Sequence, residues 1–333
     1  MAVCHSHLSS SPTDDTSLGL QRKMLNMQHI PQIDRRTVLK LLLASSLSWP
    51  MAGSRADQKQ PLLSRAVPGT GETIPAVGLG TSDEFESVGE NIEQLREVLR
   101  LFIDLGGRLI DTAPGYGKAE QVLGNLMSDL GITEKAFVAT KVRTRGRESG
   151  ENQFQTSERL LNKTPLDLIQ VHSLVDVKIQ LDNQHRWKDA GRVRYVGITH
   201  SRVSAFKELE QLMRREQLDF VQLNYSFTEP DAEERLLPLA ADRGIAVIAN
   251  RPFENGALFR RVKGKALPDW AADFDCESWA QFSLKYILAH TAVTCVIPAT
   301  SNPRHLVDNM GAGVGRLPND DMRRRMRELA NDL

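Results

Sequence analysis

Residues 108–124 read RLIDTAPGYGKAEQVLG, and this stretch combines the features from which both fold and chemistry are predicted. Arg108–Thr112 (RLIDT) contains the β-branched and apolar residues of a short buried strand. Asp111 stands near its end, and because an unpaired buried charge is costly, this carboxylate is expected to have a partner. The Pro and Gly residues of APGYG predict a tight turn that carries Tyr116.

Seven further runs of this type occur along the chain, separated by amphipathic segments. Residues 91–107 (NIEQLREVLRLFIDLGG) and 277–290 (ESWAQFSLKYILAH) have apolar residues at helical spacing, and the Gly pair at 106–107 ends the first helix. Strands that are apolar on both faces and alternate with helices indicate a parallel sheet covered by helices. The predicted strands are Ala76–Gly80, Arg108–Thr112, Phe137–Val142, Leu168–His172, Tyr195–Thr199, Phe220–Asn224, Ala246–Asn250 and Cys295–Pro298.

Eight such units predict an α/β protein with a closed (β/α)8 TIM barrel over residues 57–333. An open Rossmann sheet is disfavoured because no G-x-G-x-x-G follows the first strand. Residues 62–75 (LLSRAVPGTGETIP) predict a β-hairpin with its turn near Gly69–Gly71. In a barrel, this hairpin would plug the N-terminal mouth.

The composition is typical of a globular chain and indicates no highly charged partner. Of the 333 residues, 41% are hydrophobic and 25% are charged, and 42 Lys and Arg residues balance 42 Asp and Glu residues. A net charge of zero gives no electrostatic argument for nucleic acid or an anionic membrane as a partner. Three cysteines exclude a disulfide scaffold and a four-cysteine metal site, and no metal is expected.

Residues 1–56 are predicted to be a disordered leader that ends in a signal peptide, outside the barrel domain. The adjacent pair Arg35-Arg36 precedes a moderately apolar run, Leu41–Ala52. Ser54 and Ala56 then place small residues where a signal peptidase reads. The apolar run is shorter than the ~20 residues that span a bilayer, so no stable membrane anchor is expected.

The order of these features resembles a twin-arginine export signal, with Asp34 in place of Ser or Thr and Val38 in place of Phe. The resemblance implies transient contact with the twin-arginine translocase and a periplasmic mature protein. The alternative is an amphipathic N-terminal helix that happens to carry two arginines. In that case the signal is not used and the protein is expected in the cytoplasm.

Three predicted strands, and the turn that follows one of them, bring ionisable side chains to the same end of the barrel. Asp111 and His172 stand at the ends of the second and fourth strands, Lys141 lies near the end of the third, and Tyr116 follows Asp111 by five residues. Active-site groups of such barrels gather at the C-terminal ends of the strands. A single Lys or His there is typical of a structural role, whereas four such residues indicate a catalytic site.

Six stretches in this order resemble the aldo-keto reductase family, and the resemblance covers the chain from about Leu63 to Asn309. They are LIDTAPGYGKAEQVLG, VATKV, IQVHS, GRVRYVGITHS, QLNYS and VIPATSNPRHLVDNM. The resemblance implies an NADPH-dependent carbonyl reductase on a barrel, with the nicotinamide at the C-terminal face. The family's catalytic tetrad then falls on Asp111, Tyr116, Lys141 and His172.

The residue types of this tetrad suit carbonyl reduction, in which hydride adds to carbon and the oxygen is protonated. The ordinary pKa of tyrosine is about 10, so Tyr116 needs help to act as a general acid near neutral pH. An ammonium at Lys141 would favour the phenolate, and Asp111 would keep that ammonium charged and oriented. His172 would hydrogen-bond the substrate oxygen and fix the carbonyl for transfer.

The resemblance also implies positions for the nicotinamide end of the cofactor. The family holds the carboxamide with a Ser/Asn pair and a Gln, and those positions hold Thr199, His200 and Gln222. The position of the family's stacking aromatic residue holds Asn250, so that the stacking face is either lost or supplied by Phe253.

After the last strand, the family often places Lys and Arg on the 2′-phosphate. In residues 298–309 those positions hold Ala299 and His305, and the adjacent Arg304 is a possible substitute. The resemblance implies NADP(H) as the cofactor, which these residues support only in part, with NAD(H) as the alternative. The other interpretation of these residues is a polar loop with a helix cap. The implied contacts here are Pro298, Thr300, Arg304, His305, Asp308 and Asn309.

Two other functions are compatible with the same residues. One is a lyase that uses Lys141 as a Schiff-base nucleophile. The other is a cofactor-binding sensor or interaction subunit built on the same barrel. Residues 173–192, after the fourth strand, are short, and a single charged helix follows Asn309, so a small carbonyl substrate is expected in an open pocket of low selectivity.

Overall fold

Eight parallel strands close into a barrel in the computed structural model, which describes residues 61–86 and 91–333. A two-stranded hairpin precedes them, and each barrel strand pairs with the next one along the chain. The first barrel strand joins the last through hydrogen bonds from the Gly78 N–H to the Val296 carbonyl (2.8 Å) and from the Gly80 N–H to the Pro298 carbonyl (3.0 Å). The predicted (β/α)8 barrel is therefore confirmed. The strands are β1 Ser64–Ala66, β2 Thr73–Pro75, β3 Leu79–Gly80, β4 Leu109–Asp111, β5 Phe137–Val142, β6 Leu166–His172, β7 Val193–His200, β8 Phe220–Asn224, β9 Ala246–Asn250 and β10 Val293–Val296.

Helices alternate with the strands and bury their apolar faces in a core outside the sheet. The predicted helices in residues 91–107 and 277–290 are present, and the first buries Leu95, Val98, Leu99 and Phe102. The helices are α1 Ile92–Asp104, α2 Ala119–Asp129, α3 Arg147–Leu161, α4 Val177–Asp189, α5 Phe206–Arg215, α6 Leu236–Arg243, α7 Ala257–Arg261, α8 Trp279–Ala289, α9 Pro303–Gly311 and α10 Asp320–Asn331. Short 3-10 turns cover Val203–Ala205, Asp231–Glu233, Glu254–Gly256 and Asp269–Phe274.

The hairpin closes the N-terminal mouth of the barrel, as its sequence predicts. Its strands pair antiparallel, with Ser64 opposite Pro75, and the Val67 N–H donates to the Glu72 carbonyl at 2.8 Å across the turn. Val67 and Ile74 are buried in a second core inside the barrel. Their neighbours in that core include residues that begin strands, among them Leu109, Phe137, Phe220 and Ala246.

Five of the eight predicted barrel strands differ in their bounds from the observed strands, among them the first and the last. The last barrel strand is Val293–Val296 rather than Cys295–Pro298. Pro298 has no N–H with which to extend the ladder, so the regular pairing ends before it. The first barrel strand is regular only at Leu79–Gly80, while Val77 forms an isolated bridge to Val296.

The predicted leader and signal peptide, residues 1–56, lie outside the described residues. Within residues 61–86 and 91–333, no helix has both the length and the apolar character needed to cross a membrane. Cys276 and Cys295 are buried, and they do not form a disulfide bond with each other.

Close packing of α2 against α3 depends on Gly124. A Cβ atom at this position would lie 1.9 Å from the Leu160 carbonyl oxygen and 2.8 Å from the Leu161 Cα. We expect Gly124→Ala to lower the free energy of unfolding by about 1–3 kcal/mol, because overpacking outweighs the ~1 kcal/mol that alanine gains in a helix. Urea denaturation measures the change. Asn125→Ala, at an exposed position of the same helix, should be neutral or stabilising, and a stable Gly124→Ala protein would contradict this packing.

Candidate active site

A cavity of about 790 Å³ opens at the C-terminal ends of the barrel strands. Asp111, Tyr116 and His172 line it, whereas Lys141 lies buried behind Asp111. The four predicted catalytic residues are thus brought together at one end of the barrel. The wider lining comes from the segments after β3, β7, β9 and β10.

A buried ion pair joins two adjacent strands at the floor of this cavity. The Lys141 Nζ donates to Asp111 Oδ2 at 2.6 Å and to the Thr112 carbonyl at 2.8 Å. The side chains of Lys141 and Asp111 are only 1% and 4% exposed. Burial lowers the pKa of Lys141, but the interactions with Asp111 and Tyr116 together outweigh burial, and the pKa is raised above its ordinary value. Lys141 is therefore a charged ammonium at neutral pH.

Tyr116 lies above this ammonium in the turn after β4. The Lys141 Nζ is 5.0 Å from the centre of the Tyr116 ring, and the Tyr116 and His172 ring centres are 5.9 Å apart, edge to face. Gly117 allows the turn, because its φ is +51° and a Cβ there would lie 2.6 Å from the Glu86 carbonyl oxygen. The turn therefore holds the phenol ring close to both the ammonium and the imidazole.

His172 is a neutral imidazole in this environment. Burial, followed by the positive charges of Lys141 and Arg143 and by His200, lowers the pKa of His172 to about 3. Its Nδ1 is buried and has no hydrogen-bond partner among the described residues. Nε2 is therefore the nitrogen that is available to a molecule in the cavity, and the ring does not titrate near neutral pH.

A chain of hydrogen bonds continues from the ion pair to the predicted cofactor residues. Asp111 Oδ1 accepts from Gln222 Nε2 at 2.7 Å, and from Gln170 Nε2 at 3.5 Å. Gln222 Oε1 accepts from Thr199 Oγ1 at 3.0 Å and from Asn250 Nδ2 at 3.3 Å. The network therefore connects Lys141 to Asn250 through buried side chains.

Gln170 was not predicted as part of the site, although the sequence contained a signal for it. It is a polar residue between the apolar Ile169 and Val171, two positions before His172. Side chains two residues apart in a strand face the same side of a sheet. The presence of His172 in the site therefore places Gln170 on the inner face as well.

The residues predicted to hold the cofactor divide into two groups. Thr199, Gln222, Asn250, Thr300 and His305 line the cavity. The residues that do not line it are His200, Pro298, Arg304, Asp308 and Asn309.

The residues that do not line the cavity make contacts elsewhere or are exposed. His200 Nδ1 accepts from the Arg202 N–H at 3.1 Å, and Arg304 is exposed on α9. Asp308 accepts from Ser278 Oγ and from Gln281 Nε2, both at 2.8 Å, and so connects α9 to α8. Asn309 is buried on α9.

Several lining residues were not predicted from the sequence. Arg202 follows β7 and Arg251 follows β9, and both line the cavity. Phe253, the predicted alternative stacking residue, also lines it, and its ring centre is 4.9 Å from that of Phe259. No motif marked the arginines, because they are 49 positions apart in the sequence and meet only through the barrel.

The family model for the aldo/keto reductase family matches residues 76–329. The chain belongs to this family and is an oxidoreductase. In the described part of the chain, no cluster of three or more His, Cys, Asp or Glu side chains is arranged to hold a metal ion.

Similarity to individual proteins supports membership of this family. The chain is 29% identical over 244 residues to a methylglyoxal reductase, YeaE, of Escherichia coli K12, across 71% of this chain and 84% of the relative. It is 30% identical over 230 residues to an uncharacterised oxidoreductase of Schizosaccharomyces pombe, across 64% of this chain and 72% of the relative. An aldo/keto reductase from Klebsiella pneumoniae, crystallised with NADP and acetate, has the same fold, with a TM-score of 0.69 and 22% identity over 80% of this chain and 95% of that one.

The ion pair yields a prediction about stability. Asp111→Asn removes the negative charge but leaves the Lys141 ammonium buried, so the free energy of unfolding should fall by about 3–5 kcal/mol. Adding Lys141→Met to that variant removes the uncompensated charge and should restore most of the loss. Urea denaturation of the single and double variants measures both effects.

The exposed pair of Glu97 and Arg100 provides the control. Because a solvated pair contributes little, Glu97→Gln should change the free energy of unfolding by less than about 1 kcal/mol. A double variant that is no more stable than Asp111→Asn would show that charge burial is not the cause.

Proposed function

We propose that this protein reduces aldehyde or ketone carbonyls with NADPH and that Tyr116 donates the proton to the carbonyl oxygen. The observation that carries the proposal is the position of Tyr116 in the cavity wall, with its ring centre 5.0 Å from Lys141 Nζ and its ring beside that of His172. Family membership supports the reaction class, and the Escherichia coli relative's name makes methylglyoxal a suitable first test substrate.

The residues around the cavity fit a nicotinamide dinucleotide. Asn250 is 8% exposed, and its Oδ1 is buried without a partner among the described residues, so an amide N–H donor from a ligand would satisfy it. Thr199 and Gln222 lie beside it, and Phe253 offers an aromatic face. Thr300 and His305 line the cavity near the last strand. The bound cofactor would supply the hydride.

The protein's own residues would orient the substrate and move one proton. His172, neutral and with only Nε2 available, would donate a hydrogen bond to the carbonyl oxygen and hold it near Tyr116. The Tyr116 hydroxyl would then give its proton to the oxygen as negative charge develops there. The Lys141 ammonium would stabilise the charge left on the phenol, and Asp111 would keep the ammonium in place.

The same geometry disfavours the lyase alternative. A Schiff-base nucleophile must be a neutral amine, whereas Asp111 raises the pKa of Lys141 and keeps it charged. A sensor subunit that binds the cofactor without turnover differs from a reductase only in activity. Turnover of a simple aldehyde therefore distinguishes the two.

The role of Tyr116 is tested by Tyr116→Phe, which removes only the hydroxyl group. We expect reduction of methylglyoxal to slow by at least about 10²-fold, the scale for loss of one general acid, while NADPH binding is retained. Tyr195→Phe is the control, because the Tyr195 hydroxyl donates to Glu72 of the hairpin segment at 2.6 Å. Near wild-type turnover in Tyr116→Phe would refute the assignment.

We also propose that residues 1–56 direct export through the twin-arginine translocase. The support is the sequence order of Arg35-Arg36, the apolar run and the small residues before Asp57, followed by the polar stretch DQKQP. Export of a folded chain would allow the cofactor to bind before transport.

Export predicts a mature N-terminus near Asp57 and recovery of the protein in the periplasm of a bacterium that has the translocase. Changing Arg35→Lys and Arg36→Lys together should leave the precursor inside the cell, because the translocase reads the arginine pair and not only its charge. Arg22→Lys, outside the pair, should be exported normally. Cell fractionation and N-terminal sequencing measure the outcome. A cytosolic product that retains residues 35–56 would refute export.

A further inference from the structure

Two arginines on the cavity wall retain an uncompensated positive charge. Some arginines in this chain pair with carboxylates, as Arg194 does with Asp167 and Arg323 does with Glu233. Arg251, which is half-buried, and Arg202, which is exposed, have no carboxylate within ion-pair distance in the described residues. Both nevertheless line the cavity that holds Tyr116 and His172.

Arg251 is fixed against the loop that carries Arg202. Its Nη1 donates to the Ser201 carbonyl at 2.9 Å, and its Nε donates to Asn255 Oδ1 at 3.3 Å. Both acceptors are neutral, so these contacts position the guanidinium without cancelling its charge. Arg251 also has a φ of +52°, a left-handed conformation that non-glycine residues seldom adopt outside turns and functional sites.

The hydrogen bond to Ser201 brings two like charges to neighbouring parts of one wall. Ser201 directly precedes Arg202, and the guanidinium of Arg202 makes no hydrogen bond to any residue that the structure describes. Two positive charges on one wall disfavour each other, and an anion bound beside both would be attracted by both. The acidic lining residues Asp83 and Glu84 belong to the segment after β3 and form no ion pair with either arginine in the described part of the chain.

We propose that Arg202 and Arg251 form an anion-binding edge that holds phosphate groups of the dinucleotide cofactor. This inference rests on the proposed function, since it assigns the charged part of the same ligand. Arg251 directly follows Asn250, whose unpartnered amide oxygen faces the nicotinamide end in that proposal. The planar fork of donors on each guanidinium matches a phosphate group better than it matches a neutral acceptor.

Two parts of the cofactor carry phosphate groups that could bind these arginines, namely the pyrophosphate and the 2′-phosphate of NADPH. The arginines replace the function that the family resemblance assigns to residues after the last barrel strand. There, Ala299 has no charge and Arg304 lies outside the cavity lining. Positive charge for the cofactor therefore comes from the segments after β7 and β9.

The test is a direct titration of NADPH, and separately of NADH, into the full chain with no substrate present. The fluorescence of the nucleotide reports binding. Arg202→Gln and Arg251→Gln should each weaken NADPH binding about tenfold to a hundredfold, the effect of losing a charged hydrogen bond. Arg251→Lys should recover part of the loss, because it restores the charge without the fork. Arg215→Gln, on an exposed face of α5 away from the cavity, should bind as the wild type does.

The comparison of the two nucleotides identifies the phosphate. A loss with NADPH alone assigns the arginines to the 2′-phosphate, and an equal loss with NADH assigns them to the pyrophosphate. Unchanged NADPH affinity in both glutamine variants would overturn the inference and leave the proposed function intact. Wild-type protein that binds neither nucleotide would overturn the proposed function and this inference with it.

Protein stability is monitored in the same samples. Arg202→Gln breaks no hydrogen bond within the described chain, so its melting temperature should match that of the wild type. A weakened, normally folded Arg202→Gln protein therefore supports the inference even if Arg251→Gln is unstable. High salt should weaken NADPH binding by the wild type more than binding by the double variant, because ions screen the arginine charges.

Discussion

The buried contact between Lys141 and Asp111 is the interaction on which the rest of the site depends. An ammonium with 1% exposure is stable there only because a carboxylate lies 2.6 Å away and the Thr112 carbonyl accepts a second hydrogen bond. The pair joins β4 to β5, and Tyr116 lies in the turn that follows β4. Burial is the largest cause of the low pKa of His172, and the same ammonium lowers that pKa further.

The pair also connects the predicted cofactor residues to the proposed proton donor. Gln222 donates to Asp111 with its nitrogen and accepts from Thr199 and Asn250 with its oxygen. Each of these residues comes from a different strand, so the network forms only when the strands are in register. Two hydrogen bonds therefore connect Asn250 to the ion pair.

The sequence predicted the barrel well because its signal is local. Short apolar strands, amphipathic helices and a Gly-rich hairpin each reveal themselves within about fifteen residues, and three of the eight predicted strands, including Phe137–Val142, have the observed bounds. It also predicted that Asp111 needs a partner, since a lone charge in an apolar strand is costly. The strand Val293–Val296 was misplaced by two residues because apolar residues continue past the last regular pairing.

What the sequence did not predict arises from contacts between distant segments. Arg251 meets Ser201 across fifty positions, and nothing near either residue marks that contact. The position of Asp308 in its motif implies a cofactor contact. In the structure, its carboxylate accepts hydrogen bonds from Ser278 and Gln281. Residue type and motif position suggest a role, whereas the partners that a side chain already has decide whether it is free to perform it.

The most direct test of the central claim is to follow the hydride itself. The purified protein is given NADPH that carries deuterium at the transferable position, together with methylglyoxal, and the product is analysed by mass spectrometry. The account predicts an alcohol with one deuterium on the former carbonyl carbon, since the added proton goes to oxygen and exchanges with solvent. Absence of the alcohol, or an alcohol without deuterium on that carbon, would contradict carbonyl reduction by hydride transfer.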